Sequence, residues 1–125
     1  MSIKLMIVDD SNIIRSKINR TLTQHNSEVV ATACNGEEAI SLFVATKPDI
    51  VTMDLTMPLM DGLECIRALR KLNADVRILV ISALADKSTA IQALMEGAQG
   101  FVCKPFTESD LTEAIDELIG VASNG

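Results

Sequence analysis

Short apolar runs rich in branched residues recur along the chain at Lys4–Val8, Glu28–Ala33, Ile50–Met53, Arg77–Ile81 and Gly100–Cys103. Leu5-Met6-Ile7-Val8 and Ile78-Leu79-Val80-Ile81 are continuous rather than alternating, as expected of strands covered on both faces in a parallel sheet. The intervals between them carry apolar residues at helical spacing. These are Ile14, Ile18 and Leu22, then Ala39, Ile40, Phe43 and Val44, then Leu63, Ile66 and Leu69, and last Leu111, Ala114, Ile115 and Leu118. The fourth interval, Lys87 to Glu96, has the weakest stripe: Ala90, Ile91, Ala93, Leu94 and Met95 are partly interrupted. Local punctuation agrees with this layout. Cys34-Asn35-Gly36 precedes the second helix, Lys47-Pro48 ends it, Asp61-Gly62 opens the third, and Thr107 begins a capping box with Asp110 before the fifth. The last residues, Ala122 to Gly125, read as a frayed end.

Strict alternation of strand and helix predicts an α/β fold: a doubly wound (βα)5 sandwich, its parallel sheet covered by helices on both faces and joined by right-handed crossovers. A flavodoxin-like strand order, 2-1-3-4-5, makes strands one and three neighbours. The 125 residues suit a single domain, 1–125, with its core at about 3–120. The only aromatics are three Phe, so the core must be aliphatic.

Seventeen acidic against eleven basic residues leave a formal net charge of -6, which argues against nucleic acid and anionic lipid and favours cations or basic protein surfaces. Cys34, Cys65 and Cys103 form no C-x-x-C pair and are expected to be buried, reduced and structural. No run reaches the length of a membrane span and no cleavage-like leader opens the chain, so a cytoplasmic location without membrane insertion is expected.

In such a sheet, ligands bind outside the carboxyl ends of the strands. Those ends hold Asp9 and Asp10 after strand one, Asp54 after strand three, Ser82 after strand four, and Lys104-Pro105 after strand five. Taken singly each has a plainer role: Asp10-Ser11 as a helix cap, Asp54 as turn chemistry, Ser82 as a cap, Lys104 as a surface lysine. Their joint occurrence at four strand ends favours a site. Three converging carboxylates repel unless a cation compensates, and Mg²⁺ with oxygen ligands is the natural one. With Lys104 beside that ion, a carboxylate can act as nucleophile toward a phosphoryl group.

Val8-Asp9-Asp10-Ser11, the run from Met53-Asp54 to Asp61-Gly62, Ser82-Ala83 and Lys104-Pro105-Phe106 together resemble the receiver domain of bacterial response regulators over residues 3–120. The resemblance implies Asp54 as phosphoacceptor from a histidine kinase. It implies Asp10, Asp54 and the Thr56 backbone carbonyl as direct Mg²⁺ ligands, with Asp9 nearby or acting through water. Ser82 then corresponds to the switch hydroxyl, Lys104 to the lysine that pairs with the phosphoryl group, Phe101 to a rotating aromatic, and Lys104-Pro105 to a cis peptide. The implied output surface is the fourth helix, fifth strand and fifth helix. A kinase is expected near the first helix, where Ile13, Ile14, Arg15 and Ile18 offer an apolar patch with a basic edge. A downstream protein, a possible phosphatase and a monomer or weak phosphorylation-linked dimer complete the expectation, with stand-alone chemotaxis regulators as the nearest analogue. Relatives that bind the flagellar switch often carry a basic residue where Ala114 stands, and the fifth helix here has no Lys or Arg. Three alternatives stay open: the receiver part of a larger regulator, a receiver used only as a phosphate-independent binding module, against which intact Asp9, Asp10, Asp54, Ser82 and Lys104 weigh, and a haloacid-dehalogenase-like phosphatase. The last needs a second Asp two residues after the nucleophile, where Thr56 stands.

Overall fold

The computed structural model describes residues 3–25, 27–55, 61–83 and 87–123. Along the chain lie β1 (Ile3–Val8), α1 (Asn12–Thr23), β2 (Ser27–Ala33), α2 (Gly36–Thr46), β3 (Ile50–Met53), α3 (Gly62–Leu72), β4 (Arg77–Ser82), α4 (Lys87–Glu96), β5 (Gly100–Cys103) and α5 (Glu108–Ser123). The strands form one parallel sheet in the order β2-β1-β3-β4-β5. The expected doubly wound fold and strand order are therefore observed.

The unbroken apolar runs follow from this layering. Met6, Val8, Val51, Met53, Ile78 and Val80 point to one face, where Ala39 and Phe43 of α2, Cys65, Ile66 and Leu69 of α3 and Ala93 of α4 cover them. The intervening Leu5, Ile7, Ile50, Leu79 and Ile81 point to the other, against Ile18 and Leu22 of α1 and Leu111, Ile115 and Leu118 of α5. Each fully buried aliphatic side chain contributes roughly 1.5–3 kcal/mol, so the core is mainly aliphatic, but not wholly as expected: Phe43 is buried on one face of the sheet and Phe106 on the other.

Helix starts are set by local polar groups. The side chains of Ser11, Asn35 and Asp61 accept from the backbone N–H of Ile14, Glu38 and Glu64. Thr107 and Asp110 exchange the reciprocal bonds of a capping box, Thr107 N donating to Asp110 Oδ2 at 2.9 Å and Asp110 N to Thr107 Oγ1 at 3.0 Å. Lys47 ends α2 in the left-handed conformation, φ 50°, just before Pro48.

Several expectations need correction. α5 continues through Ala122 to Ser123, and the rest of the expected frayed end, 124–125, lies outside the described residues. Val44 is exposed, because α2 already fills its contact with Ala39 and Phe43. Of the cysteines only Cys65 is buried; Cys34 is half-buried, and Cys103, at the end of edge strand β5, is exposed. α4 buries Ala93 and leaves Ile91, Leu94 and Met95 exposed, so its interrupted stripe is a small-residue contact face with large apolar groups outside it.

Candidate functional site

Backbone register builds the site. The β-ladder runs one residue past the strand ends: Asp9 N donates to Ala33 O at 3.0 Å, and Asp54 N to Val8 O at 2.9 Å. Asp9 and Asp54 therefore leave adjacent strands at the same height. Ser82 is the last residue of β4 rather than the first beyond it, paired with Cys103, and its carbonyl accepts from Lys104 N at 2.9 Å. Parallel pairing thus delivers residues far apart in the chain to one end of the sheet.

The side chains converge there. Carboxylate oxygens of Asp9, Asp10 and Asp54 all lie within 4.8 Å of one another. Asp9 and Asp54 are buried and Asp10 is exposed. Lys104 Nζ donates to Asp9 Oδ2 at 2.8 Å and stands 3.7 Å from Asp54 Oδ1. Ser82 is fully buried beneath this end of the sheet. Ser11 caps α1 and its N–H donates to Asp9 Oδ1 at 2.9 Å, so Asp10 is not the cap that its sequence context allowed.

The donor set fits a hard divalent cation. Three carboxylates face one ammonium, which leaves excess negative charge in a partly buried pocket. All-oxygen ligands with one exposed carboxylate suit Mg²⁺, which binds through few protein ligands and keeps waters. Thr56 lies outside the described residues, as does 84–86 in the loop after β4.

The Lys104–Pro105 peptide bond is cis, as expected. Phe101 is half-buried and packs on the core face shared with α4. It also lines two grooves, about 310 and 420 Å³, along β5 and α5. Of the α1 patch, Ile18 is core, Ile14 packs against it, and Ile13 is 80% exposed.

Two basic residues brace the pocket: Arg15, expected as the basic edge of a kinase patch, and Lys17, which nothing in the sequence singles out. Arg15 Nη1 donates to the Asp9 carbonyl at 2.6 Å, and a second guanidinium nitrogen bonds Asn12 Oδ1. Lys17 Nζ donates to Phe106 O at 2.6 Å and sits 4.6 Å over the Phe106 ring, tying α1 to the segment that carries Lys104. Helical position alone marks both as surface bases; their partners lie across a loop or in the far end of the chain.

Residues 5–116 match the family described as response regulator receiver domain. The chain is 37% identical over 118 residues to the chemotaxis protein CheY of Thermotoga maritima, covering 94% of this chain and 98% of that protein. It is 38% identical to CheY of Bacillus subtilis, covering 95% and 99%. Among solved structures, the CheX-CheY-BeF3-Mg+2 complex from Borrelia burgdorferi superposes with a TM-score of 0.91 at 29% identity, over 94% of this chain and 89% of that one. With the strand order, the convergent carboxylates and these matches in agreement, the chain belongs to the response regulator receiver family.

Proposed function

We propose that this receiver accepts a phosphoryl group on Asp54 from a phosphohistidine of a partner kinase and passes the signal to a protein docked on α4, β5 and α5. The observation that carries this reading is the convergence of Asp9, Asp10 and Asp54 around the Lys104 ammonium. An Asp54 carboxylate oxygen attacks phosphorus, and a new O–P bond forms. The P–N bond to imidazole breaks, its electron pair staying on the ring nitrogen, which takes up a proton. Asp9, Asp10 and Asp54 would hold Mg²⁺, with the Thr56 carbonyl as a further ligand. A bound divalent cation supplies positive charge against the carboxylates and the phosphoryl oxygens. Lys104 offers a second positive charge from the β5 side. The Mg²⁺ and BeF3 in the Borrelia relative's complex support the same reading here.

Phosphorylation adds roughly two negative charges. Ser82 and Lys104 then bond the new oxygens, the loop after β4 follows, and Phe101 responds on β5. Such a switch works when two states lie within a few kcal/mol of each other. The chain modifies only itself and turns over no other substrate.

The test is intact mass after incubation with Mg²⁺ and acetyl phosphate. A single labile phosphoryl adduct is expected, lost in Asp54→Asn and without Mg²⁺. No adduct with any donor overturns the reading, and sustained turnover of unrelated phosphate esters favours the phosphatase class.

A further inference from the structure

The surface around edge strand β5 combines two features. On α4, Ile91, Leu94 and Met95 are 54%, 50% and 80% exposed. Glu96 of the same helix pairs with Arg67 of α3 at 2.6 Å, which fixes the flank of α4 that faces α3. At about 100° per residue, Ile91 and Leu94 stand on the opposite flank, toward the open edge of the sheet. On the other side of β5, α5 presents Asp110, Glu113 and Glu117 and carries no base; Asp116, paired with His25 at 2.8 Å, faces α1 instead. Asp110, Glu113 and Glu117 rim the two grooves whose floor includes Phe101 and Ala114, with Arg77 the one base lining them among the described residues. Lys104 adds nothing there, since its ammonium is turned inward onto Asp9 and Asp54.

We infer that this surface receives a basic amphipathic segment of a partner protein, whose apolar side chains cover Ile91, Leu94 and Phe101 while its Lys and Arg face the carboxylates of α5. The inference rests on the receiver reading and names the chemistry of its output partner. Large exposed apolar side chains beside a groove are the anchor positions of helix-in-groove recognition. A one-signed rim selects partners by charge and speeds their encounter. Complementarity argues against a second copy as the occupant: a two-fold axis at this face would set the acids of one α5 against those of the other.

The test uses the full chain and a short synthetic Leu/Lys amphipathic peptide, a scramble of the same composition, and a version with Glu in place of Lys. Binding is read by anisotropy and by amide shift mapping, with and without beryllofluoride and Mg²⁺. The amphipathic basic peptide is expected to shift amides of α4, β5 and α5 and to outbind its scramble. Glu113→Lys with Glu117→Lys weakens it about tenfold and lets the acidic peptide bind, since both positions are exposed rim charges. Leu94→Ser weakens the basic peptide with the charges intact. Equal binding of the scramble, preference for the acidic peptide, shifts confined to α1, or self-association through this face each overturn the inference. If the peptide binds here while acetyl phosphate leaves no adduct on Asp54, the surface stands and the receiver chemistry fails. An adduct with no peptide bound at this face has the opposite meaning.

Discussion

Lys104 is hydrogen-bonded to Asp9, not to the proposed phosphoacceptor: its Nζ lies 2.8 Å from Asp9 Oδ2 and 3.7 Å from Asp54 Oδ1. The ammonium therefore occupies charge that a divalent cation also seeks. At these separations, opposite charges near a protein surface interact by a few kcal/mol, and like charges repel similarly. Lys104→Met should tighten Mg²⁺ binding about three- to tenfold by calorimetric titration while slowing phosphorylation of Asp54. Without metal the same variant should unfold at lower urea concentration, because two buried carboxylates lose their cation, and Mg²⁺ should restore much of the loss. Unchanged or weaker Mg²⁺ affinity would show that the ammonium does not compete.

Gly62 sits against the backbone that carries the phosphoacceptor. A Cβ there would lie 2.5 Å from both Asp54 O and Leu55 Cα, and neither can yield without moving the Asp54 peptide. Gly62 N also donates to Leu55 O at 3.0 Å, locking the two segments together. Gly62→Ala is expected to cost about 1–3 kcal/mol in urea denaturation and to slow acetyl-phosphate labelling. Wild-type stability and labelling in this variant contradict the packing.

Thr52 carries a buried hydroxyl with no hydrogen-bond partner among the described residues, between Ile7 and Leu79 on neighbouring strands. Thr52→Val keeps the shape and removes that desolvated group. Its denaturation midpoint should equal or exceed wild type, by up to about 1 kcal/mol. A clear loss of stability would reveal a hydroxyl partner.

Burial, with the Asp61 charge adding to it, raises the Cys65 thiol pKa to about 12. The unfolded chain releases this proton at ordinary thiol pH and the folded chain holds it. Folding stability is thus unaffected below the unfolded pKa and falls as pH rises from there toward 12, by on the order of 1 kcal/mol per pH unit. Cys65→Ala should flatten that alkaline slope in denaturation at pH 8–10. Iodoacetamide on the folded protein should label exposed Cys103 first and leave Cys65 untouched, as read by peptide mass.

Much of the architecture was legible along the chain because its causes are local. Continuous runs such as Leu5 to Val8 mark strands dry on both sides. Asn35, Asp61, Thr107 and the Lys47-Pro48 step mark helix ends through bonds spanning three or four residues. The candidate site was legible for the same reason: each of its residues sits at the end of a recognisable strand, and parallel pairing gathers strand ends without further information. Exposure was less legible. Val44 and Leu94 fit helical stripes as well as Phe43 or Leu118 do, yet only the latter pair is buried in the core clusters on the two faces of the sheet.

By itself, the sequence determined which segments extend, which coil, and which chemical groups stand at the strand ends, since periodicity and capping act within a few residues. Tertiary structure alone decided that Lys104 bonds Asp9 across 95 positions. It also decided that Lys17 reaches Phe106 and that α4 presents Ile91, Leu94 and Met95 outward. Those outcomes depend on which elements lie beside one another and how much surface each covers, and burial and pairing across a fold are set by neighbours the local chain does not contain.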